Sequence, residues 1–444
     1  MKIKNTTLYH GSNLEILQKL INDNIKVDSI VTDPPYELDF MGKSWDSTGI
    51  AYNVELWKLC LQILKPGGYL LAFSGTRTYH RMVCAIQDAG FDIRDQLAWV
   101  YGSGFPKAQD TAKAIDIHLG VTPNVIGKEK LSNDIRAGGF LDIQHIEHEG
   151  KSREAYERDV TEPTSPEAKK WTGWKNALKP AWEPICLARK PMIGSTPENV
   201  LKYGTGAMNI DACRIPTTDL KQIIGNGMKS QTEMNKNQGF RPKNYYEDQE
   251  GHLYTPSEKG RFPANLIHDG SEEVEKEFAK CGNRKAGASV SGNESSNLTK
   301  DIYGKYETRD AFSSYNDDGS VSRFFYSAKA NKNDRAGSSH PTVKPVALME
   351  YLCKLVTQPN GLILDPFAGS GTTAEGAYRN RFETILIEKE DVYCKDIENR
   401  LNNMTLPTNK NNLKKLGDKV KNSSKIKNND INKSNDVNKL FELK

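Results

Sequence analysis

Two short motifs at opposite ends of this chain constrain its fold more than any other feature. Each follows an apolar run that reads as a strand. Val27 to Thr32 leads into Asp33-Pro34-Pro35-Tyr36, and Leu362-Ile363-Leu364 leads into Asp365-Pro366-Phe367-Ala368-Gly369-Ser370-Gly371-Thr372-Thr373-Ala374. Open α/β sheets bind ligands outside the carboxyl ends of their strands. Two such turns so far apart call for one sheet assembled from both ends of the chain, with a long variable insert between.

Periodicity around the motifs agrees. Helical spacing covers Asn13 to Leu20 (Ser12 or Asn13 as cap), Leu56 to Leu64 and Tyr79 to Ala89, the last ended by Gly90. Strand-like runs lie at Val27 to Thr32, Tyr69 to Ser74 and Leu97 to Tyr101, and Lys65-Pro66-Gly67-Gly68 reads as a turn. The C-terminal part repeats the style, with helices at Val346 to Val356, Thr372 to Tyr378 and Asp391 to Leu401 and strands at Leu362 to Leu364 and Thr384 to Ile387. Such alternation argues an α/β fold with a mostly parallel sheet. Residues 108–180 and 225–320 differ, being rich in Gly, Asn, Ser, Lys and Tyr with little periodicity. Strand-like islands at Ile185 to Ala188 and Arg323 to Tyr326 interrupt them.

The 444 residues carry a formal charge of +4, but 408–444 hold ten lysines against four acids, so the rest of the chain stands at −2 (+4 less +6). Charge alone therefore does not argue for nucleic acid, and that case must come from motifs. The Asn/Lys-rich tail is expected to be disordered. With no membrane-length apolar run and no secretory h-region at the start, a soluble cytoplasmic protein is expected. Seven scattered cysteines without a C-x-x-C pair, and His10, His80, His145 and His148 without partners at ligand spacing, predict neither disulfide framework nor metal; His340 reads as positional.

The chemistry of the first motif follows from its residue types. Two consecutive prolines fix the backbone and remove two N–H donors. An acceptor-only carboxylate beside free carbonyls suits a planar amino group that brings two donors, and Tyr36 offers a flat face to an aromatic ring. In the second motif, Gly369, Gly371 and Ala374 fit G-x-G-x-x-G/A, and Glu388 ends the next strand, placed to take ribose hydroxyls. This is an adenosine-type pocket, which a dinucleotide would also fit.

Together these residues resemble the amino-directed DNA methyltransferases that use S-adenosylmethionine. Because Asp-Pro-Pro-Tyr precedes the glycine loop, the chain resembles their circularly permuted β-type group, a Rossmann-like fold with the target-recognition insert between the halves. His340-Pro341-Thr342-Val343-Lys344-Pro345 and Leu64-Lys65-Pro66-Gly67-Gly68 continue the likeness. Lys179-Pro180-Ala181-Trp182-Glu183-Pro184-Ile185 and Arg261-Phe262-Pro263-Ala264-Asn265 look like methylases carried by phages and prophages.

The resemblance implies a division into 1–107 as catalytic half and 108–335 as insert with the target-recognition region, crossed by strands near 182–189 and 321–328. Residues 336–407 would then be the cofactor half and 408–444 the tail. It implies that Asp365, Phe367, Gly369, Gly371 and Thr372 line the S-adenosylmethionine pocket with Glu388 on the ribose, and that Thr342 and Lys344 close over the methionine end. Asp33 and the Pro34 carbonyl, set by Pro35, would hydrogen-bond the target amine. Tyr36 would stack on a base flipped out of double-stranded DNA. Trp99 and Tyr101 would form another wall of the base pocket, or else be core aromatics. Adenine N6 is the favoured target and cytosine N4 the alternative; an RNA or protein methyltransferase and a non-catalytic DNA-binding regulator are weaker rivals. A cognate restriction nuclease would be a separate protein, and monomer versus homodimer is left open. Lys169 to Lys175 interleaves basic and aromatic residues, as do Arg241, Lys243, Tyr245 and Tyr246, and both are candidate DNA contacts.

Overall fold

A computed structural model describes residues 1–38, 46–102, 104, 108–130, 157–216, 259–281, 320–328, 332–338 and 340–406. The expected tail at 408–444, His145, His148 and Arg241 to Tyr246 lie outside the described residues.

The first hundred residues form β1 (Lys2–Ile3), β2 (Thr6–His10), α1 (Asn13–Asn22), β3 (Val27–Thr32), α2 (Val54–Ile63), β4 (Leu64–Phe73), α3 (Tyr79–Asp88) and β5 (Asp92–Val100). The middle holds α4 (Thr111–His118), β6 (Asn124–Lys130), β7 (Glu157–Glu162), α5 (Pro166–Lys169), β8 (Trp182–Arg189), α6 (Thr196–Tyr203), β9 (Leu266–His268), α7 (Glu272–Lys280) and β10 (Tyr326–Ser327). The end supplies α8 (Val346–Val356), β11 (Leu362–Asp365), α9 (Thr372–Arg379), β12 (Glu383–Glu388) and α10 (Asp391–Asn403).

Ten strands make one sheet in the order β1-β2-β12-β11-β3-β4-β8-β5-β9-β10, and β6 pairs with β7 as a separate hairpin. From β2 to β4 the pairs are parallel, while β8 runs antiparallel to both β4 and β5. All six residues of β3 are buried, as a strand covered on both faces requires. Alternation sorts its neighbours into two cores. Ile30, Leu70 and Ala72 pack with α1, α2 and α3, whereas Val31, Leu71 and Phe73 pack with α8 and α9. Burial of polar strand residues is matched by pairing: the Thr6 and Thr384 hydroxyls lie 2.6 Å apart, and those of Ser29 and Thr357 2.7 Å.

The α/β alternation stands as expected, with three differences of detail. Lys65-Pro66-Gly67-Gly68 is not a turn between elements but an irregular stretch inside β4, where Val27 pairs with Leu64 and Ser29 with Tyr69. Contacts far away in sequence keep it in the sheet: Lys65 Nζ donates to Asp28 at 2.6 Å, and Asn199 Nδ2 donates to the Pro66 carbonyl at 2.9 Å. β5 begins at Asp92, five residues before the apolar run, because its polar first half pairs with β8. Arg323 belongs to a 3-10 turn, Val321–Phe324, capped by the Ser320 hydroxyl, and only Tyr326 and Ser327 pair as strand.

Chain direction places the cavity. From β3 the chain moves through α2 to β4 on one side; from β11 it moves through α9 to β12 on the other. β3 and β11 are neighbours, joined at Ser29–Ile363 and Ile30–Leu364. The sheet therefore reverses its winding between them, and a crevice opens past their carboxyl ends.

Candidate active site

A cavity of about 1190 Å³ occupies that crevice. Asp33, Pro34, Pro35 and Tyr36 enter from the end of β3, Tyr101 from the end of β5, and Asp365 to Ser370, Thr372 and Thr373 from the turn between β11 and α9. Glu388 comes from the end of β12, and His340, Thr342 and Lys344 from the segment before α8.

The β11–α9 turn is held from below. Asp365 is buried; its Oδ1 accepts from the Thr32 hydroxyl at 2.6 Å and the Phe367 amide at 3.1 Å, and its Oδ2 accepts from the Thr373 hydroxyl at 2.6 Å. Burial pushes this carboxyl up to about 6, against the pull of those donors. Gly369 has φ +52°, and a Cβ there would stand 3.3 Å from the His340 ring. Its amide donates to Glu388 Oε2 at 2.8 Å, while Glu388 Oε1 accepts from the Lys389 and Glu390 amides. Burial raises the Glu388 carboxyl, and the three amides oppose it. Underneath, the fully buried Arg400 donates to the Ser370 carbonyl at 2.7 Å and to Glu375 at 2.6 Å.

Opposite lies a cluster of charges drawn from three distant segments. Lys344 Nζ stands 2.6 Å from Asp33 Oδ2, 3.1 Å from the Tyr36 hydroxyl and 3.3 Å from Glu183 Oε2. It also lies 5.0 Å from the Phe73 ring centroid. The Tyr36 hydroxyl donates to Glu183 Oε2 at 2.8 Å. Burial pulls the Lys344 ammonium down, but the Asp33 and Glu183 carboxylates outweigh it and hold it above the ordinary lysine value. Burial, then Asp33 and Glu183, raises the Tyr36 phenol well above its usual range. Two carboxylates and one ammonium leave the cluster at −1. Asp33 Oδ1, the oxygen that Lys344 does not bind, is buried and has no hydrogen-bond partner among the described residues. An acceptor left so is costly unless something brings a donor to it.

The structure therefore brings most of the residues singled out above to one cavity and gives three of them neighbours that the sequence does not show. Lys344 is bound to Asp33 and Glu183. Gly371 has φ +76°, but a Cβ there would meet Ile397 of α10 at 3.2 Å, so its missing side chain serves helix packing. Trp99 lies in the core shared with α8, its ring 5.1 Å from Tyr101, and only Tyr101 reaches the cavity. Close helix approach falls on Gly376, where a Cβ would meet the α8 backbone at 2.6 Å. Glu183 and Arg400 are the residues that the motifs missed. Glu183 had one signal, its place in the segment Lys179 to Ile185; Arg400 had none. Among the described residues no cluster of His, Cys, Asp and Glu could hold a metal ion, and no helix is long and apolar enough to cross a membrane.

The profile of a family described as DNA methylase matches residues 27–399. Among curated relatives, the Type II methyltransferase M2.LlaDCHI of Lactococcus lactis subsp. cremoris is 33% identical over 97 residues, 22% of this chain and 36% of that one. The Type II methyltransferase M.HindIII of Haemophilus influenzae is 27% identical over 160 residues, 35% of this chain and 38% of that one. The chain thus spans little more than a third of the length of these relatives. Among solved structures, the M1.HpyAVI–SAM complex aligns over 89% of this chain and 99% of its own at 17% identity, with a TM-score of 0.38. PvuII DNA methyltransferase (cytosine-N4-specific) aligns over 91% and 95% at 14% identity, with a TM-score of 0.36.

The family's methyl donor is S-adenosylmethionine. The residues present fit it: a strand-to-helix turn that lines the cavity and takes a positive φ at Gly369, and a cavity-lining Glu388 carboxylate whose Oε2 has the Gly369 amide as its one hydrogen-bond donor among the described residues. With its profile matched across most of the sequence, the chain belongs to the N6/N4 family of S-adenosylmethionine-dependent DNA methylases.

Proposed function

We propose that this chain is a site-specific DNA methyltransferase that methylates the exocyclic N6 of adenine in a base flipped out of double-stranded DNA. The observation that carries the reading is Asp33 Oδ1, a buried acceptor without a partner among the described residues, at the switch point of the sheet. An exocyclic amine is a poor nucleophile because its lone pair is delocalised into the ring. Asp33 Oδ1 accepts one of its N–H bonds and the Pro34 carbonyl the other, which favours a pyramidal nitrogen with its lone pair free. Lys344 holds Asp33 Oδ2, so the carboxylate keeps one orientation. Glu183 holds the Tyr36 hydroxyl, so the tyrosine ring keeps its place for stacking. The net −1 of the cluster stabilises the positive charge that develops on the amine, in a site already organised before reaction. When bound, S-adenosylmethionine supplies an electrophilic sulfonium methyl; Glu388, Gly369, Phe367 and Thr342 would hold it on the β11–β12 side.

Adenine is favoured over cytosine because the motif begins with Asp, which the resemblance links more often to adenine. The order of the motifs supports the permuted β-type group, and the segments at 179–185 and 261–265 support a phage or prophage relationship. Residues 108–335 would carry target recognition. The test is expression in a host that lacks its own adenine methylation, followed by single-molecule sequencing that detects modified bases. N6-methyladenine in a recurrent motif is expected. N4-methylcytosine would replace the base and keep the site, whereas unmodified DNA from protein that binds S-adenosylmethionine would contradict the reading.

A further inference from the structure

Residues 175–181 form a strap that leads into β8 and makes one rim of the cavity. It is pinned on both sides. The backbone at Lys175 pairs with that at Asp110 in an isolated antiparallel bridge, and Asn176 Oδ1 accepts from the Gln109 amide at 2.8 Å. Beyond the midpoint, Lys179 Nζ donates to the Gly102 carbonyl at 2.6 Å, and the Ala181 carbonyl accepts from the Tyr101 amide at 2.9 Å. Pro180 lies so close to Gly104 that a Cβ on the glycine would stand 1.7 Å from the proline carbonyl oxygen. Between these anchors Leu178 is 91% exposed, and it borders the same cavity as Asp33 and Tyr36.

Single exposed leucines are ordinary on protein surfaces. Leu178 differs in its position: an apolar side chain presented by a fixed backbone at the mouth through which a flipped base would enter. Extracting a base costs its pairing and stacking, and proteins that distort duplexes offset such losses by inserting apolar side chains into the stack. Trp174 and Trp182, 61% and 40% exposed, flank the strap, and Lys169, Lys170 and Lys175 beside it supply charge for phosphates.

We infer that Leu178 fills the space left in the duplex when the target base enters the cavity. The inference rests on the reading of DNA as substrate. The test uses two duplexes containing the recognition sequence, one with the target base paired and one with an abasic site opposite it, so that the target is already unpaired. On the paired duplex Leu178→Ala is expected to lower kcat/KM on the order of 10- to 100-fold. On the duplex with the abasic site it should return to within about threefold of wild type. Leu178→Met should retain activity on both, and S-adenosylmethionine affinity should be unchanged. With 2-aminopurine at the target, the fluorescence rise on binding should be diminished in Leu178→Ala. Equal rates for wild type and Leu178→Ala on the paired duplex, or an equal loss on both duplexes, would overturn the inference. A wild type that methylates neither duplex would instead overturn the reading of the substrate itself.

Discussion

Across the cavity two regions hold charge in opposite ways. On the proposed cofactor side, Asp365, Phe367, Gly369 and Glu388 come from one β11–α9–β12 unit, and their hydrogen bonds go mainly to nearby backbone amides and hydroxyls. On the opposite side, Asp33 with Tyr36, Glu183 and Lys344 come from three segments that meet only because β3 and β8 flank β4 in the sheet while the stretch before α8 folds over them. The local region satisfies its acids with the chain's own donors and leaves a backbone surface open to a ligand. The assembled region satisfies one Asp33 oxygen with a buried lysine, and the other has no partner among the described residues. Holding a ligand can be done by a contiguous turn, whereas setting the orientation of one acceptor takes a cage closed from several directions.

The comparison predicts separable effects, and the largest is expected at the lysine. Lys344→Met leaves the half-buried Asp33 and Glu183 together without the buried cation they share, so methyl transfer should fall on the order of 10²- to 10³-fold. Stability should fall by about 3–5 kcal/mol, as when one partner of a buried pair is removed. Urea unfolding and single-turnover assays measure the two; a stable, active variant would mean that the cluster is dispensable.

A pH effect of intermediate size belongs to the cofactor side. Burial lifts Asp365 to about 6, whereas an unfolded aspartate titrates near ~3.9. Between these values the native state holds a proton that the unfolded state has lost, so this group's contribution to stability falls as pH rises through the window. Relative to Asp365→Asn, the wild type should lose about 2–3 kcal/mol between pH 4 and pH 7. A difference that stays flat over that range would show that the carboxyl is not so displaced.

Smaller effects should sort by side. Gly369→Ala places a Cβ 3.3 Å from His340 at a positive φ. It should weaken S-adenosylmethionine binding about tenfold while the rate at saturation stays close to wild type. Glu183→Gln keeps an acceptor for the Tyr36 hydroxyl but removes a charge. It should lower kcat by about three- to tenfold with cofactor affinity unchanged. Reversal of that pattern, with Glu183 governing affinity and Gly369 the rate, would break the division between the regions.

What the sequence disclosed follows the same divide. The β11–α9 turn was legible because every part is contiguous: a strand, a glycine pattern, a helix, and an acid at the end of the next strand. Asp33 and Tyr36 were legible as a motif, but the partners that orient them were not. No periodicity ties Lys344 or Glu183 to residues at the other end of the sheet, so the sequence does not show that Lys344 stands beside Asp33. The glycine pattern is legible at Gly371, but it does not show that Ile397 is the neighbour a side chain there would meet. Trp99 and Tyr101 are two residues apart, and the sequence does not show that the strand ends between them, leaving Trp99 in the core and Tyr101 at the cavity. The Lys65 to Gly68 stretch looked like a turn because its contacts with Asp28 and Asn199 are tertiary.

The most direct test of the account is Asp33→Asn, with cofactor binding and methyl transfer measured on one preparation. The substitution keeps the shape of the side chain, yet it replaces a charged acceptor facing Lys344 and the target amine with an amide that can direct only one oxygen between them. Calorimetry should give an S-adenosylmethionine affinity within about threefold of wild type, while transfer to DNA falls at least about 100-fold. Transfer at the wild-type rate, or loss of activity matched by an equal loss of cofactor binding, would contradict the claim that Asp33 Oδ1 receives the target amine.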